Sequence, residues 1–255
     1  MVSINGTHFL SCSWDPKDNL ILWSKDNLTE VVNFIGHTNS VNEIILFNQT
    51  VMISGSSDGT IKFWDILRGT NTSFKSIEVG NIVESLSLIT NDLLVAGLDN
   101  GTLLLVNTTR NNTECCVPLN TKHFGKVTDL DYWPNKKMLA SSSYDKNVFI
   151  IDMTHPYNDT LLNMTNNNRK VTSLKYVQNI LASGDWDGMI YLWNMNDWSI
   201  KVLEGHTQPV TTFLYVNDTL YSGSWDRDIR VWNITTGNLL GTFKTQFMIW
   251  SIIFI

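Results

Sequence analysis

The 255-residue chain is short of several things, and each shortage narrows what it can be. It has three cysteines, Cys12 and the adjacent Cys115 and Cys116, whose spacing provides neither a disulfide framework nor a paired CxxC zinc site. No apolar run reaches the roughly 18 to 20 residues needed to cross a bilayer, and the N-terminus lacks the basic, apolar and small-residue order of a signal peptide. Charged residues make up only 16%, and 18 basic against 24 acidic side chains leave a formal charge of -6. That balance lacks the positive field of a nonspecific nucleic-acid binder. No GxxxxGK[ST] phosphate loop, HExxH zinc motif or EF-hand loop is present. The expectation is a protein without metal, cofactor, nucleic-acid or membrane partner, residing in the cytoplasm with the nucleus as the other open compartment.

What the chain has is repetition. With 43% hydrophobic and 11% aromatic residues it can bury a core as one domain over residues 1–255. One segment is written several times: SGSSDGTIKFWD from Ser54, SSSYDKNVFIID from Ser141, SGDWDGMIYLWN from Ser183 and SGSWDRDIRVWN from Ser222. A weaker copy, AGLDNGTLLLVN, starts at Ala96, and SCSWDPKDNLILWS from Ser11 carries two extra residues in its turn. The turn residues Asp15, Asp58, Asn100, Asp145, Asp187 and Asp226 recur at steps of 39 to 45 residues.

Each unit reads as strands, because apolar and β-branched residues alternate over short stretches punctuated by Gly, Asn, Asp and Ser. In Thr60 to Trp64, Ile61 and Phe63 share one face while Lys62 and Trp64 share the other. Four strands per repeat of this length is the signature of a propeller blade. Gly36-His37 followed by Trp64-Asp65, and Gly205-His206 followed by Trp232-Asn233, recur in register with it. On these residues the whole chain resembles a WD-repeat β-propeller, an all-β fold of four-stranded antiparallel blades.

The wraparound from Asp226 through both termini to Asp15 matches the other steps, so six blades account for the chain. The strand from about Phe247 to Ile255 is then expected to join a blade whose other three strands come from the N-terminus. Pairing would protect an apolar segment that is otherwise aggregation-prone. A fragment of a seven-bladed ring is the alternative.

The resemblance implies a hydrogen-bonded chain of His, Ser, turn Asp and Trp in each blade. Two blades carry the full set: His37, Ser54, Asp58 and Trp64, and His206, Ser222, Asp226 and Trp232. These types satisfy one another's polar groups when buried. A third blade has His123, Ser141 and Asp145 with Ile151 in the Trp slot. A fourth has Ser183, Asp187 and Trp193 without the His. The Asn100 blade has Ala96 and Val106 instead and is expected to be the least rigid. The Ser-His-Asp trio suggests a catalytic triad, but it recurs in register, whereas a catalytic site is one specialised constellation. Gly55 to Gly59 fits the GxSxG nucleophile elbow, yet that motif needs a following helix, and Thr60 to Trp64 reads as a strand. No catalytic residue is assigned. Loss of an esterase activity in a folded Ser57→Ala variant would reverse that reading.

Binding side chains of WD-repeat proteins tend to come from the rim that carries the turn. The residue before the turn marker is Trp14, Ser57, Asp99, Tyr144, Trp186 or Trp225 around the chain. Two further rim slots give Ser40 and Asn42, Ile82 and Glu84, Lys126 and Thr128, Lys170 and Thr172, Pro209 and Thr211, and Met248 and Trp250. One arc is therefore aromatic and basic: Lys126, Tyr144, Lys170, Trp186, Trp225, Trp250 and Trp14. Exposed aromatics of this kind anchor interfaces, and the lysines favour an acidic or phosphorylated partner segment.

The resemblance implies a non-catalytic scaffold or adaptor for a protein or peptide, working within a larger complex. A ubiquitin-ligase substrate receptor is the alternative, although Trp64-Asp65-Ile66-Leu67-Arg68 places Arg one position later than the WDxR form. Asn-X-Ser/Thr sequons at Asn5, Asn27, Asn48, Asn107, Asn158, Asn163, Asn217 and Asn233 raise a secreted lectin-like reading, which the missing signal peptide disfavours. Asn166 to Asn168 read as a loop between blades and His155 to Tyr157 as a turn.

Overall fold

The computed structural model describes residues 2–4, 6–15, 20–68, 70–110, 115–155, 162–164 and 169–253. The turn insertion after Asp15, the sequons at Asn5 and Asn158, the Pro156-Tyr157 turn, the Asn166 to Asn168 loop and the last two residues of the expected C-terminal strand lie outside the described residues.

Among the described residues the chain forms six four-stranded sheets, the blades of a β-propeller, with the strands of each blade in chain order. The first blade is β1 (Val2–Ile4), β2 (His8–Cys12), β3 (Leu20–Ser24) and β4 (Glu30–Asn33). The second is β5 (Val41–Leu46), β6 (Val51–Ser56), β7 (Thr60–Asp65) and β8 (Lys75–Glu78), and the third β9 (Val83–Thr90), β10 (Leu93–Leu98), β11 (Thr102–Asn107) and β12 (Cys116–Lys122). The fourth is β13 (Val127–Trp133), β14 (Met138–Ser143), β15 (Val148–Asp152) and β16 (Leu162–Met164). The fifth is β17 (Val171–Val177), β18 (Ile180–Asp185), β19 (Ile190–Asn194) and β20 (Ile200–Leu203), and the sixth β21 (Val210–Val216), β22 (Thr219–Ser224), β23 (Asp228–Asn233) and β24 (Leu239–Lys244). The chain divides into two compact units, residues 1–127 and residues 128–254.

The expected alternation in β7 is realised as two separate cores. Ile61 and Phe63 join a cluster with Leu86, Leu94 and Leu104 of the third blade. Trp64 joins another with Leu10 and Leu20 of the first. Full burial of each such side chain contributes about 1.5–3 kcal/mol. The second unit repeats the division: Ile190 and Leu192 pack with Leu220 and Trp232, while Trp193 packs with Ala140 and Ile150. Strands β7 and β19 are thus covered on both faces, which is why their apolar content exceeds simple alternation.

Two kinds of turn recur among the described residues. After the second strand, Asp58, Asn100, Asp145 and Asp226 each accept the backbone N–H two residues on. The residue after the turn Asp or Asn is left-handed in five blades, at Gly59, Gly101, Lys146, Gly188 and Arg227. Glycine enters that region freely, whereas Lys146 and Arg227 hold it at a cost. After the third strand, Asp65, Asn107, Asp152, Asn194 and Asn233 accept the N–H two residues on in the same way. Three of the sequons are such turns between the third and fourth strands: Asn27, Asn107 and Asn233 cap a following Thr N–H.

One expectation is corrected. The first blade has four strands from the N-terminal segment itself, because Gly6 in the left-handed region lets Val2–Ile4 fold back and pair with His8, Phe9 and Leu10. Residues 247–253 form no strand. They are nevertheless anchored, since Ile249 N–H donates to Ser224 O at 3.1 Å and the Ile249 side chain is buried.

Candidate partner-binding face

Both complete polar networks form. His37 Nε2 lies 2.7 Å from Ser54 Oγ and its Nδ1 2.8 Å from Asp58 Oδ2, while Trp64 Nε1 donates to Ser54 Oγ at 2.8 Å. His206, Ser222, Asp226 and Trp232 repeat this with all three distances at 2.8 Å. Ser Oγ accepts from the indole and gives its proton to His Nε2, so a neutral imidazole donates from Nδ1 to the carboxylate. Burial holds both imidazoles below their ordinary 6.5, against the pull of Asp58 and Asp226. Burial also pushes the two carboxyls up, but donors outweigh it and hold them below 3.8: for Asp58 the hydroxyl of Thr60, the His37 ring and the Thr38 N–H.

This chain has triad-like distances but no triad access. Ser54 and Ser222 have no exposed surface, and each Oγ is already occupied by an indole and an imidazole. Ser57, the centre of the GxSxG pattern, sits in a turn that runs into β7, and its Oγ accepts from Asn42 Nδ2 at 3.0 Å.

Partial networks follow the same plan. Trp193 donates to Ser183 Oγ at 2.9 Å and, unforeseen in the sequence, Trp23 to Ser11 Oγ at 2.8 Å. In the fifth blade the turn acceptor is Asp185, which receives the N–H groups of Asp187 and Met189. Asp187 is thereby released to form an ion pair with Arg169. In the third blade Ala96 and Val106 are fully buried in an apolar core.

One rim slot turns out to serve the frame. Asn42 Nδ2 donates to Val83 O at 2.9 Å, and Thr128, Thr172 and Thr211 Oγ1 donate to the carbonyls of Val171, Val210 and Ile249. Each link reaches the segment that follows its own blade.

The aromatic side chains behave differently. In the second unit Tyr144, Trp186, Trp225 and Trp250 form a continuous row of edge-on contacts, with centroids 5.7, 5.3 and 5.0 Å apart and interplanar angles of 88°, 72° and 60°. Such geometry aligns ring edges with ring faces. Lys170 Nζ stands 4.4 Å from the Tyr144 centroid and 5.2 Å from that of Trp186. Lys170 is exposed, and no carboxylate of the described residues lies within ion-pair distance of it. At the other end, Thr207, Gln208, Trp225, Asp226, Arg227 and Met248 line an open depression of about 460 Å³. Trp225 Nε1 is buried there without an acceptor among the described residues. The two remaining expected residues belong to the first unit. Trp14 is 64% exposed, and Lys126 forms an ion pair with Glu84 at 2.7 Å, so its charge is offset within the protein.

Comparison with known proteins places this arrangement. The family model for the WD domain, G-beta repeat, matches residues 28–65, 115–152, 159–194 and 198–233, more than half of the chain. This chain belongs to the WD40-repeat family. Each matched WD40 window runs from the fourth strand of one blade to the third strand of the next, and the first three strands of the first blade and of the third, which holds Ala96 and Val106, fall outside the windows. The WD40 propeller domain of Doa1 superposes with a TM-score of 0.82 at 20% identity, covering 98% of this chain and 83% of that one. The computationally designed Ika8 protein gives 0.77 at 24% identity, covering 99% and 76%.

Among curated proteins, the WD40 chain is 28% identical over 169 residues to a ribosome biogenesis protein WDR12 homolog of Nematostella vectensis, covering 65% of this chain and 40% of the relative. It is 30% identical over 71 residues to the tRNA (guanine-N(7)-)-methyltransferase non-catalytic subunit wdr4 of Xenopus laevis, covering 27% and 17%. The chain therefore spans well under half the length of these relatives. Among the described residues no helix is long and apolar enough to cross a membrane.

Proposed function

We propose that this chain is a non-catalytic scaffold that captures a protein or peptide partner on the row Tyr144, Trp186, Trp225 and Trp250, as part of a larger complex. The observation that carries the reading is the row itself: four aromatic rings in consecutive contact, three from the turn position of successive blades and Trp250 from a second rim slot, with a cation over the first two. Partly exposed Trp and Tyr at adjoining positions supply large, rigid contact area, and truncating an interface anchor of this type costs about 2 kcal/mol or more. Lys170 and Arg227 favour a partner segment that is acidic or phosphorylated. One relative is by its name a non-catalytic subunit, which agrees with a scaffold. The proposed compartment is the cytoplasm or the nucleus.

The test is a lysate pull-down comparing the wild-type chain with Trp186→Ala/Trp225→Ala, after circular dichroism and melting establish that the variant folds. Loss of the wild-type partners with the fold intact supports the aromatic row as the docking face. Retention of the same partners overturns it and moves the search to the outer strands.

A further inference from the structure

Cys115 and Cys116 are consecutive, and consecutive side chains of a strand point to opposite faces. Here they do not diverge. Cys115 has a 3₁₀ backbone and Cys116 opens β12, and the two Sγ atoms meet at 2.9 Å. Both are free thiols. Cys115 is buried in the core cluster with Ile53, Leu94 and Val106, while Cys116 is partly exposed, so the pair has one anchored and one accessible sulfur.

We propose that Cys115 and Cys116 form a preorganised vicinal dithiol site for a trivalent arsenical, bound through both sulfurs. The geometry of the pair favours this ligand class over a disulfide, zinc or a linear ion. A direct disulfide joins Cα atoms usually ~4.4–6.8 Å apart, whereas neighbouring Cα atoms are fixed near ~3.8 Å, so an atom inserted between the sulfurs is less strained than a bond joining them. Structural zinc takes four ligands and, with Zn–S near ~2.3 Å in a tetrahedron, holds sulfurs roughly 3.7 Å apart. The described residues contain no group of three or more His, Cys, Asp or Glu that could complete such a set. A linear two-coordinate ion would spread the sulfurs further still. A pyramidal centre with bond angles near a right angle holds two sulfurs close together and needs no further protein ligand.

The chemistry balances without an oxidant. With a monosubstituted arsenic(III) oxide, two As–S bonds form, the As–O bonding is lost, and the oxygen leaves as water with the two thiol protons. Arsenic stays trivalent. Burial pushes the Cys116 thiol up to about 12, so Cys116 rests as a neutral thiol, and the Lys75 ammonium favours its proton loss. Lys75 Nζ is held there by the carbonyls of Thr108 and Arg110 at 2.6 and 3.0 Å.

The test uses the native, reduced full chain and phenylarsine oxide, read by intact mass and peptide mapping. The expected result is one phenylarsine per chain, mapped to the 115–116 peptide, retained in excess monothiol and released by a 1,2-dithiol. Cys116→Ser and Cys115→Ala lose retention, and Cys12→Ser keeps it. No retention by the wild type overturns the proposal, as does retention by either single variant with a native near-ultraviolet spectrum. If the variants do not fold, the mapped wild-type adduct decides: an adduct on the Cys12 peptide overturns the proposal and one on the 115–116 peptide upholds it.

Discussion

Val210 rests on Gly184: a β-carbon built on that glycine would lie 2.7 Å from Val210 Cβ. The same relationship joins Gly55 to Val83, Gly97 to Val127 and Gly223 to Ile249. The glycine in the repeated Ser-Gly pair is therefore a packing requirement, since the first residue of the following segment occupies the space above it. Gly184→Ala is expected to destabilise the protein by about 1–3 kcal/mol through overpacking, measured as a lower urea midpoint. Gly241→Ala, with nothing within 4 Å, serves as the neutral control.

Ser222→Ala removes the oxygen shared by His206 and Trp232, both of which are buried. The expected loss is about 1–3 kcal/mol for each group left unpaired, again by urea denaturation. Ala96, the counterpart in the third blade, packs against apolar neighbours and strands no donor.

Acid should weaken the fold in two stages. His37 and His206 have folded values below 6.5, so from pH 6.5 downward the unfolded chain binds protons that the folded chain excludes. Their contribution is complete above 6.5 and is lost as pH falls toward the folded values. Asp58 and Asp226, held below 3.8, contribute above 3.8 and lose that contribution at still lower pH. Urea midpoints near pH 7 and about pH 5 should differ for the wild type, and His37→Gln/His206→Gln should narrow the difference.

Lys170→Ala removes the cation that lies over Tyr144 and Trp186. Capture of an acidic partner is expected to weaken by about 0.5–2 kcal/mol, with a shallower dependence on salt, measured by titration at two ionic strengths. Lys126→Ala should change capture less, because Glu84 already takes its charge.

The blades were legible because turn chemistry and strand alternation recur in register: Asp58 and Asp226, Trp64 and Trp232 fall where the spacing puts them. Of the aromatic row, Tyr144, Trp186 and Trp225 share one repeat slot and Trp250 comes from another, and the repeat spacing does not show that their rings touch. Side-chain direction was not legible. Thr172 and Thr211 share a rim slot with nothing in their type to show that each hydroxyl turns toward a main-chain carbonyl. Glu84 and Lys126 stand 42 positions apart, and their pairing depends on the packing of consecutive blades. The two extra residues after Asp15 obscured the match of Ser11 and Trp23 to the other Ser–Trp pairs.

The donors at Asn42, Thr128, Thr172 and Thr211 all end on main-chain oxygens. A carbonyl survives any substitution at the receiving position, proline included. Fastening is therefore written into the donor alone, and the neighbour is free to drift. Val83 heads the third blade, which has left the family pattern at Ala96 and Val106, yet it still receives Asn42. A blade of this protein can lose the spelling of its repeat and keep its place in line.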